Sequence, residues 1–80
     1  MSYYVYVIKS IKDNIRYVGS TENIERRLKE HNLGKQRYTK GHRPWRLVYQ
    51  EEFSSRSEAM KQERFYKSST GRRRLDKLIL

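Results

Sequence analysis

From Tyr3 to Ile8 every residue is Val, Ile or Tyr, and Lys9 ends the run. β-Branched and aromatic side chains suit an extended backbone, and a run without polar alternation reads as a strand covered on both faces. Such a strand belongs at the centre of a sheet, so later segments must supply its neighbours and its covers. Length tightens the demand. A chain of 80 residues buries only roughly 60 to 65% of the surface its unfolded form exposes, so the expectation is one domain, residues 1–80, with a small core.

The segments that follow can be assigned in turn. Ser10 to Ile15, with Lys12, Asp13 and Asn14 at its tip, is a polar connector of hairpin length, and Arg16 to Gly19 reads as a short second strand. From Glu22 the pattern turns helical. Ile24, Leu28 and His31 recur at helical spacing, Glu22 and Glu25 sit in the first turn, and Gly34 marks the end, which predicts a helix from Glu22 to Asn32. Leu33 to Pro44 carries Lys35, Arg37, Lys40 and Arg43 with two glycines and a proline, and is expected to be a mobile surface loop that does not pack inside. Arg46 to Phe53 suits a third strand. Ser55 and Glu58 form a capping box opening a second helix that runs through Ala59, Met60, Glu63 and Tyr66 to about Ser68. Gly71 then ends or redirects the chain, and Leu75, Leu78 and Ile79 give a short third helix one apolar face. The order is ββαβαα, an α+β arrangement.

Charge narrows the function. With 19 Lys and Arg against 9 Asp and Glu the net charge is +10, beyond the magnitude of about 2 to 8 that keeps a small domain soluble. Such a surface attracts polyanions, and the tyrosines interleaved with basic residues can meet bases while Lys and Arg neutralise phosphates. Nucleic acid is the expected partner, DNA and RNA being indistinguishable at this level. The absence of cysteine excludes disulfides and thiolate metal sites, which fits a reducing cytoplasm. The apolar run of Tyr3 to Ile8 is far short of the roughly 20 residues of a membrane span, so no membrane is expected. No glycine-rich phosphate loop, paired-carboxylate cluster or Ser-His-Asp set is present.

One grouping does stand out: Tyr6 and Tyr17 on the first two strands, Arg27 and His31 one turn apart on the first helix, and Glu63 on the second. Phosphodiester hydrolysis needs a group to deprotonate water, a cation facing the phosphorane, help for the leaving oxygen and usually a carboxylate-held metal, and this set suits it. Arg27 adjoins the apolar stripe of Ile24, Leu28 and His31, so it is expected to project toward the sheet. Each residue also has an ordinary reading: sheet packing for the tyrosines, a helix-end cap for His31, an i+4 pair with Lys67 for Glu63. Gly19 is expected to permit a close backbone approach or a positive φ, and Trp45 to anchor the loop before it on the core.

The residues Tyr4-Val5-Tyr6, Tyr17-Val18-Gly19, Ser20-Thr21, Asn23-Ile24, Arg27 and His31 resemble the GIY-YIG nuclease family, in particular its small stand-alone members related to the N-terminal domain of the excision-repair subunit UvrC. The likeness continues through Tyr38-Thr39-Lys40, Arg43-Pro44-Trp45, Leu47-Val48-Tyr49, Glu58-Ala59 and Glu63, almost the whole chain. It implies a three-stranded antiparallel sheet flanked by helices, a site on one face of the sheet, and an endonuclease of DNA repair or recombination using one divalent ion, Mg²⁺ or Mn²⁺. By the same resemblance Tyr6 is the general base, with Tyr17 supporting it or taking that role. Arg27 stabilises the pentavalent phosphate, His31 hydrogen-bonds the reacting group or Tyr6, and Glu63 is the sole protein ligand of the metal. A tyrosine base needs its pKa lowered from about 10, by the metal or by Arg27. Two departures are visible: Tyr4 replaces the first glycine of the family triplet, and Ser68 to Leu75 lacks the asparagine that braces the site in some members, leaving Ser68 or Ser69 for that role.

Lys35, Arg37, Lys40, Arg43, Arg72, Arg73 and Arg74 are the expected phosphate contacts. Specificity then has to come from DNA shape, branches, single-stranded regions or a partner protein. The alternative is a nucleic-acid-binding module of the same fold without catalysis.

Overall fold

A computed structural model describes residues 2–79. The run at the start of the chain forms β1 (Tyr3–Ser10), flanked on one side by β2 (Arg16–Thr21) and on the other by β3 (Trp45–Phe53), both antiparallel, in the order β2-β1-β3. The pleat divides β1 between two half-cores. Val5 and Val7 pack with Val18 against Ala59 and Tyr66 of α3 (Arg56–Tyr66) and Leu75 of α4 (Ser69–Leu78). Tyr6 and Ile8 face the other way, onto Tyr17, Trp45, and Ile24 and Leu28 of α1 (Ile24–Leu33). Val5, Val7 and Ile8 are each 0% exposed, and burying such a side chain fully is worth about 1.5–3 kcal/mol. That is why the opening run has no polar face.

The ββαβαα order holds, with shifted boundaries. β2 continues to Thr21, two residues past Gly19. α1 starts at Ile24, after the expected Glu22, because the Asn23 side chain accepts the Arg26 backbone N–H at 3.0 Å and caps the helix. Gly34 closes it with φ 82°.

Two expectations fail. The segment 33–44 does not stay outside the core. It forms a one-turn helix, α2 (Arg37–Lys40), whose Thr39 is 0% exposed, and the adjoining Trp45 is 3% exposed. The Trp45 indole N–H donates to the Thr39 carbonyl at 2.7 Å, while the Asn32 amide brackets the Trp45 backbone at 2.7 and 3.0 Å. The basic residues do point outward; the inward turn is made by a threonine whose hydroxyl finds a buried partner. Gly71, expected to end or redirect the chain, lies inside α4. The chain turns earlier, at Lys67 and Ser68, and Gly71 is where α4 crosses the end of α3: a Cβ there would stand 1.8 Å from the Phe65 carbonyl oxygen.

Candidate active site

Tyr6 lies opposite Gly19 across the β1–β2 pair. The missing side chain leaves room for the phenol ring to lie over the strand, since a Cβ on Gly19 would meet the Tyr6 hydroxyl oxygen at 2.5 Å. Gly19 therefore serves close approach, with no positive φ. The Tyr6 hydroxyl reaches His31 Nε2 at 2.8 Å, and His31 Nδ1 lies 2.8 Å from Thr39 Oγ1. Thr39 can direct its own proton to the backbone carbonyl or side-chain oxygen of Gln36, each 3.4 Å away. It then accepts from His31 Nδ1–H, which leaves the Nε2 lone pair for the proton of Tyr6.

Burial sets the proton affinities. His31, 1% exposed, has its pKa pushed down from 6.5 to about 4 by burial and by the positive charge of Arg27. Tyr6, 2% exposed, is pushed up from 10.0 to about 12 by burial, against the downward pull of the neighbouring Arg27 guanidinium. The expected lowering by Arg27 is present, but desolvation outweighs it. Tyr6 is a neutral phenol at ordinary pH, and its proton sits in a hydrogen bond to a neutral imidazole. Arg27 is additionally paired with Glu30 at 3.0 Å, an ion pair that holds the Glu30 carboxyl below its usual range.

Tyr17 stacks near this pair, its ring centroid 6.5 Å from Tyr6 and 5.2 Å from His31, and its hydroxyl accepts from the Gln36 amide at 3.0 Å. The Lys67 ammonium lies 5.7 Å from the Tyr17 ring centroid. The same ammonium donates to Glu63 Oε2 at 2.8 Å, and Ser20 Oγ donates to Glu63 Oε1 at 2.6 Å. The i+4 pairing of Glu63 with Lys67 therefore exists, but it occupies one oxygen only.

Of the five residues, His31 is hydrogen-bonded to the Tyr6 hydroxyl with the Arg27 guanidinium beside it, the Tyr17 ring packs near both rings, and Glu63 is joined to this group through Lys67, which lies over the Tyr17 ring. They do not share one face of the sheet. Tyr6, Tyr17, Arg27 and His31 belong to the α1 side, whereas Glu63 is on α3, in register with buried Ala59 and Tyr66 that pack on the opposite side. The site wraps the unpaired edge of β2, with Gly19 as its thinnest point.

Ser20 and Thr39 carry no role in the sequence reading. Ser20 orients the carboxylate, and Thr39 fixes the imidazole from α2, beyond the Gly34 break that ends α1, so no single element's periodicity connects the two. Ser68 is not available as a brace: its hydroxyl accepts from Gly71 N at 3.2 Å and donates to the Phe65 carbonyl at 2.6 Å, capping α4. The expected phosphate contacts are all exposed but dispersed. Lys35, Arg37, Lys40 and Arg43 surround α2, Arg72 lines a recess with Tyr17, Tyr38 and Lys67, and Arg73 and Arg74 line a separate one beside Phe65.

Among the described residues no three His, Asp or Glu side chains cluster as a metal cage. Glu63 is the carboxylate that would hold a metal ion: its side chain keeps 22% exposure and Ser20 fixes its orientation, and an ion bound there would take the place of the Lys67 ammonium at its second oxygen. Mg²⁺ keeps several waters and commonly takes one or two carboxylates. No helix of the described residues is long and apolar enough to cross a membrane.

The site thus holds a hydrogen-bonded tyrosine and histidine, a neighbouring arginine and one partly exposed carboxylate, on a strongly basic α+β fold. The chain matches the GIY-YIG catalytic domain over residues 2–76. It is 56% identical over 62 residues to the UPF0213 protein SH2523 of Staphylococcus haemolyticus, covering 76% of this chain and 74% of that protein. With the UPF0213 protein YazA of Bacillus subtilis it shares 40% identity over 74 residues, 91% of this chain and 74% of the relative. The solution NMR structure of the UPF0213 protein BH0048 from Bacillus halodurans is similar, with a TM-score of 0.58 and 40% identity, covering 98% of this chain and 85% of that one. The chain belongs to the GIY-YIG family, a nuclease family, and its relatives are small stand-alone members.

Proposed function

We propose that this protein is a cytoplasmic, metal-dependent endonuclease that hydrolyses DNA phosphodiester bonds, working in repair or recombination with a partner protein or a DNA structure supplying specificity. The observation that carries the reading is the Tyr6–His31 pair, hydrogen-bonded at 2.8 Å with the Arg27 guanidinium beside it. Tyr6 serves as general base by passing its proton to His31 Nε2 while it takes one from the attacking water. The water oxygen bonds to phosphorus, the bond to the leaving sugar oxygen breaks, and that oxygen takes a proton from solvent. Arg27 faces the negative charge that builds on the phosphorane. Glu63 would hold Mg²⁺ or Mn²⁺, which would supply positive charge to the phosphate under attack. Tyr17 packs the Tyr6 and His31 rings and meets the incoming strand.

A binding module without catalysis is the second reading, favoured by the engagement of Glu63 with both Lys67 and Ser20. The test is cleavage of supercoiled, single-stranded and branched DNA at low salt in Mg²⁺, Mn²⁺ or EDTA. Under the nuclease reading the parent cuts only with metal, and Glu63→Ala abolishes cutting while DNA affinity is nearly unchanged. Equal cutting by Glu63→Ala contradicts it.

A further inference from the structure

Two recesses open on either side of Glu63, and its two oxygens tie it to both. Ser20, bonded to Oε1, lines a recess of about 500 Å³ with Thr21, Arg26 and Arg56. Lys67, bonded to Oε2, lines another of about 390 Å³ with Arg16, Tyr17 and Arg72. The recesses follow the free edge of β2, one at Arg16–Val18 and the other at Ser20–Thr21, with Gly19 between them. At about 3.3 Å per strand residue the separation matches a few nucleotides of an extended strand.

The charges in these recesses are available. Arg16 is committed to Asp76 and Lys67 to Glu63, but none of the ion pairs among the described residues engages Arg26, Arg56 or Arg72. Arg26 and Arg56 come from the first turns of different helices and line one recess, in which Glu22 is the sole lining carboxylate. Unpaired arginines grouped in this way next to the reacting centre offer forked donors to phosphate oxygens.

Resting on the nuclease reading, we propose that the cleaved strand runs along the free edge of β2, its backbone held by Arg26 and Arg56 on one side of the scissile phosphate and by Arg72 on the other. The contacts that set the register are these three, while Arg73 and Arg74, in a recess beside Phe65 that neither Ser20 nor Lys67 lines, lie off the path. Arg26 and Arg56 thus join the interface, although neither belongs to the basic clusters that composition draws attention to.

The test measures equilibrium binding of a fluorescent DNA oligonucleotide across a salt series in EDTA, so that no cleavage intervenes. The expected result is that Arg26→Ala with Arg56→Ala weakens binding about 10-fold at low salt and lowers the slope of log affinity against log salt by about two, roughly one per phosphate contact. Lysine at both positions restores most of the slope. Arg73→Ala with Arg74→Ala binds like the parent. Parent-like binding by the Arg26 and Arg56 variant, an equal loss in the Arg73 and Arg74 variant, or no salt-dependent binding by the parent overturns the path. Cleavage in Mg²⁺ is scored separately on the parent, so the nuclease reading can fail while the path stands, and the reverse.

Discussion

A methyl group on Gly19 would stand 2.5 Å from the Tyr6 hydroxyl oxygen and 2.7 Å from Cζ, and the ring it meets is buried against its neighbours. Gly19→Ala must therefore shift the phenol away from His31, with a stability loss of about 1–3 kcal/mol for the overpacking and a larger proportional loss of cleavage, to be read from urea unfolding and initial rates. His31 makes stability depend on pH. Its folded pKa is about 4 against 6.5, so above 6.5 both states are neutral and its contribution is fully present. As pH falls toward 4 the unfolded chain binds a proton that the folded one refuses, and stability drops by on the order of 3 kcal/mol. Unfolding midpoints of His31→Gln and the parent should therefore converge as pH falls from 7.5 to 4; a constant difference contradicts the burial of a neutral imidazole. Tyr6, Tyr17, Arg27, His31 and Glu63 are legible in the chain as an ordered set. Their environments are not, because the desolvation that raises Tyr6 exceeds the pull of Arg27, and spacing carries no information about which effect is larger.

At the scale of elements, local signals are readable where they act on their own backbone. The opening apolar run becomes the central strand, the Ser55 side chain accepts the Glu58 N–H at 3.2 Å as the N-cap half of the expected capping box while the Glu58 carboxylate accepts from Ser54, and Gly34 ends α1. Signals that depend on a distant partner are missed. Thr39 turns inward only because His31 waits there, and Gly71 looks like a terminator until the crossing of α4 over Phe65 is seen. Gly71→Ala tests that crossing. With a Cβ only 1.8 Å from a backbone oxygen, neither helix can yield by a rotamer change, and a loss of about 3 kcal/mol or more in urea unfolding is expected. A loss below about 1 kcal/mol, the ordinary scale of a point mutation, would mean that the helices separate freely.

For the whole molecule, a charge of +10 on 80 residues points to a polyanion, and membership of a nuclease family points to nucleic acid. Composition could not say where the cations fall, since Arg72 lines a recess with Tyr17 and Lys67 while its sequence neighbours Arg73 and Arg74 line another. Nor could it say that the site would draw on both sides of the sheet and meet at the β2 edge. The central claim is that this edge assembles a working hydrolytic centre around the Tyr6 hydroxyl, and it is tested most directly by single-turnover cleavage in Mg²⁺, comparing the parent with Tyr6→Phe, which removes one oxygen and keeps the ring. The account predicts a rate reduced by at least about 100-fold, the lower end of what a positioned acid–base group contributes, with DNA affinity retained. A Tyr6→Phe protein that cuts at the parent's rate would contradict it.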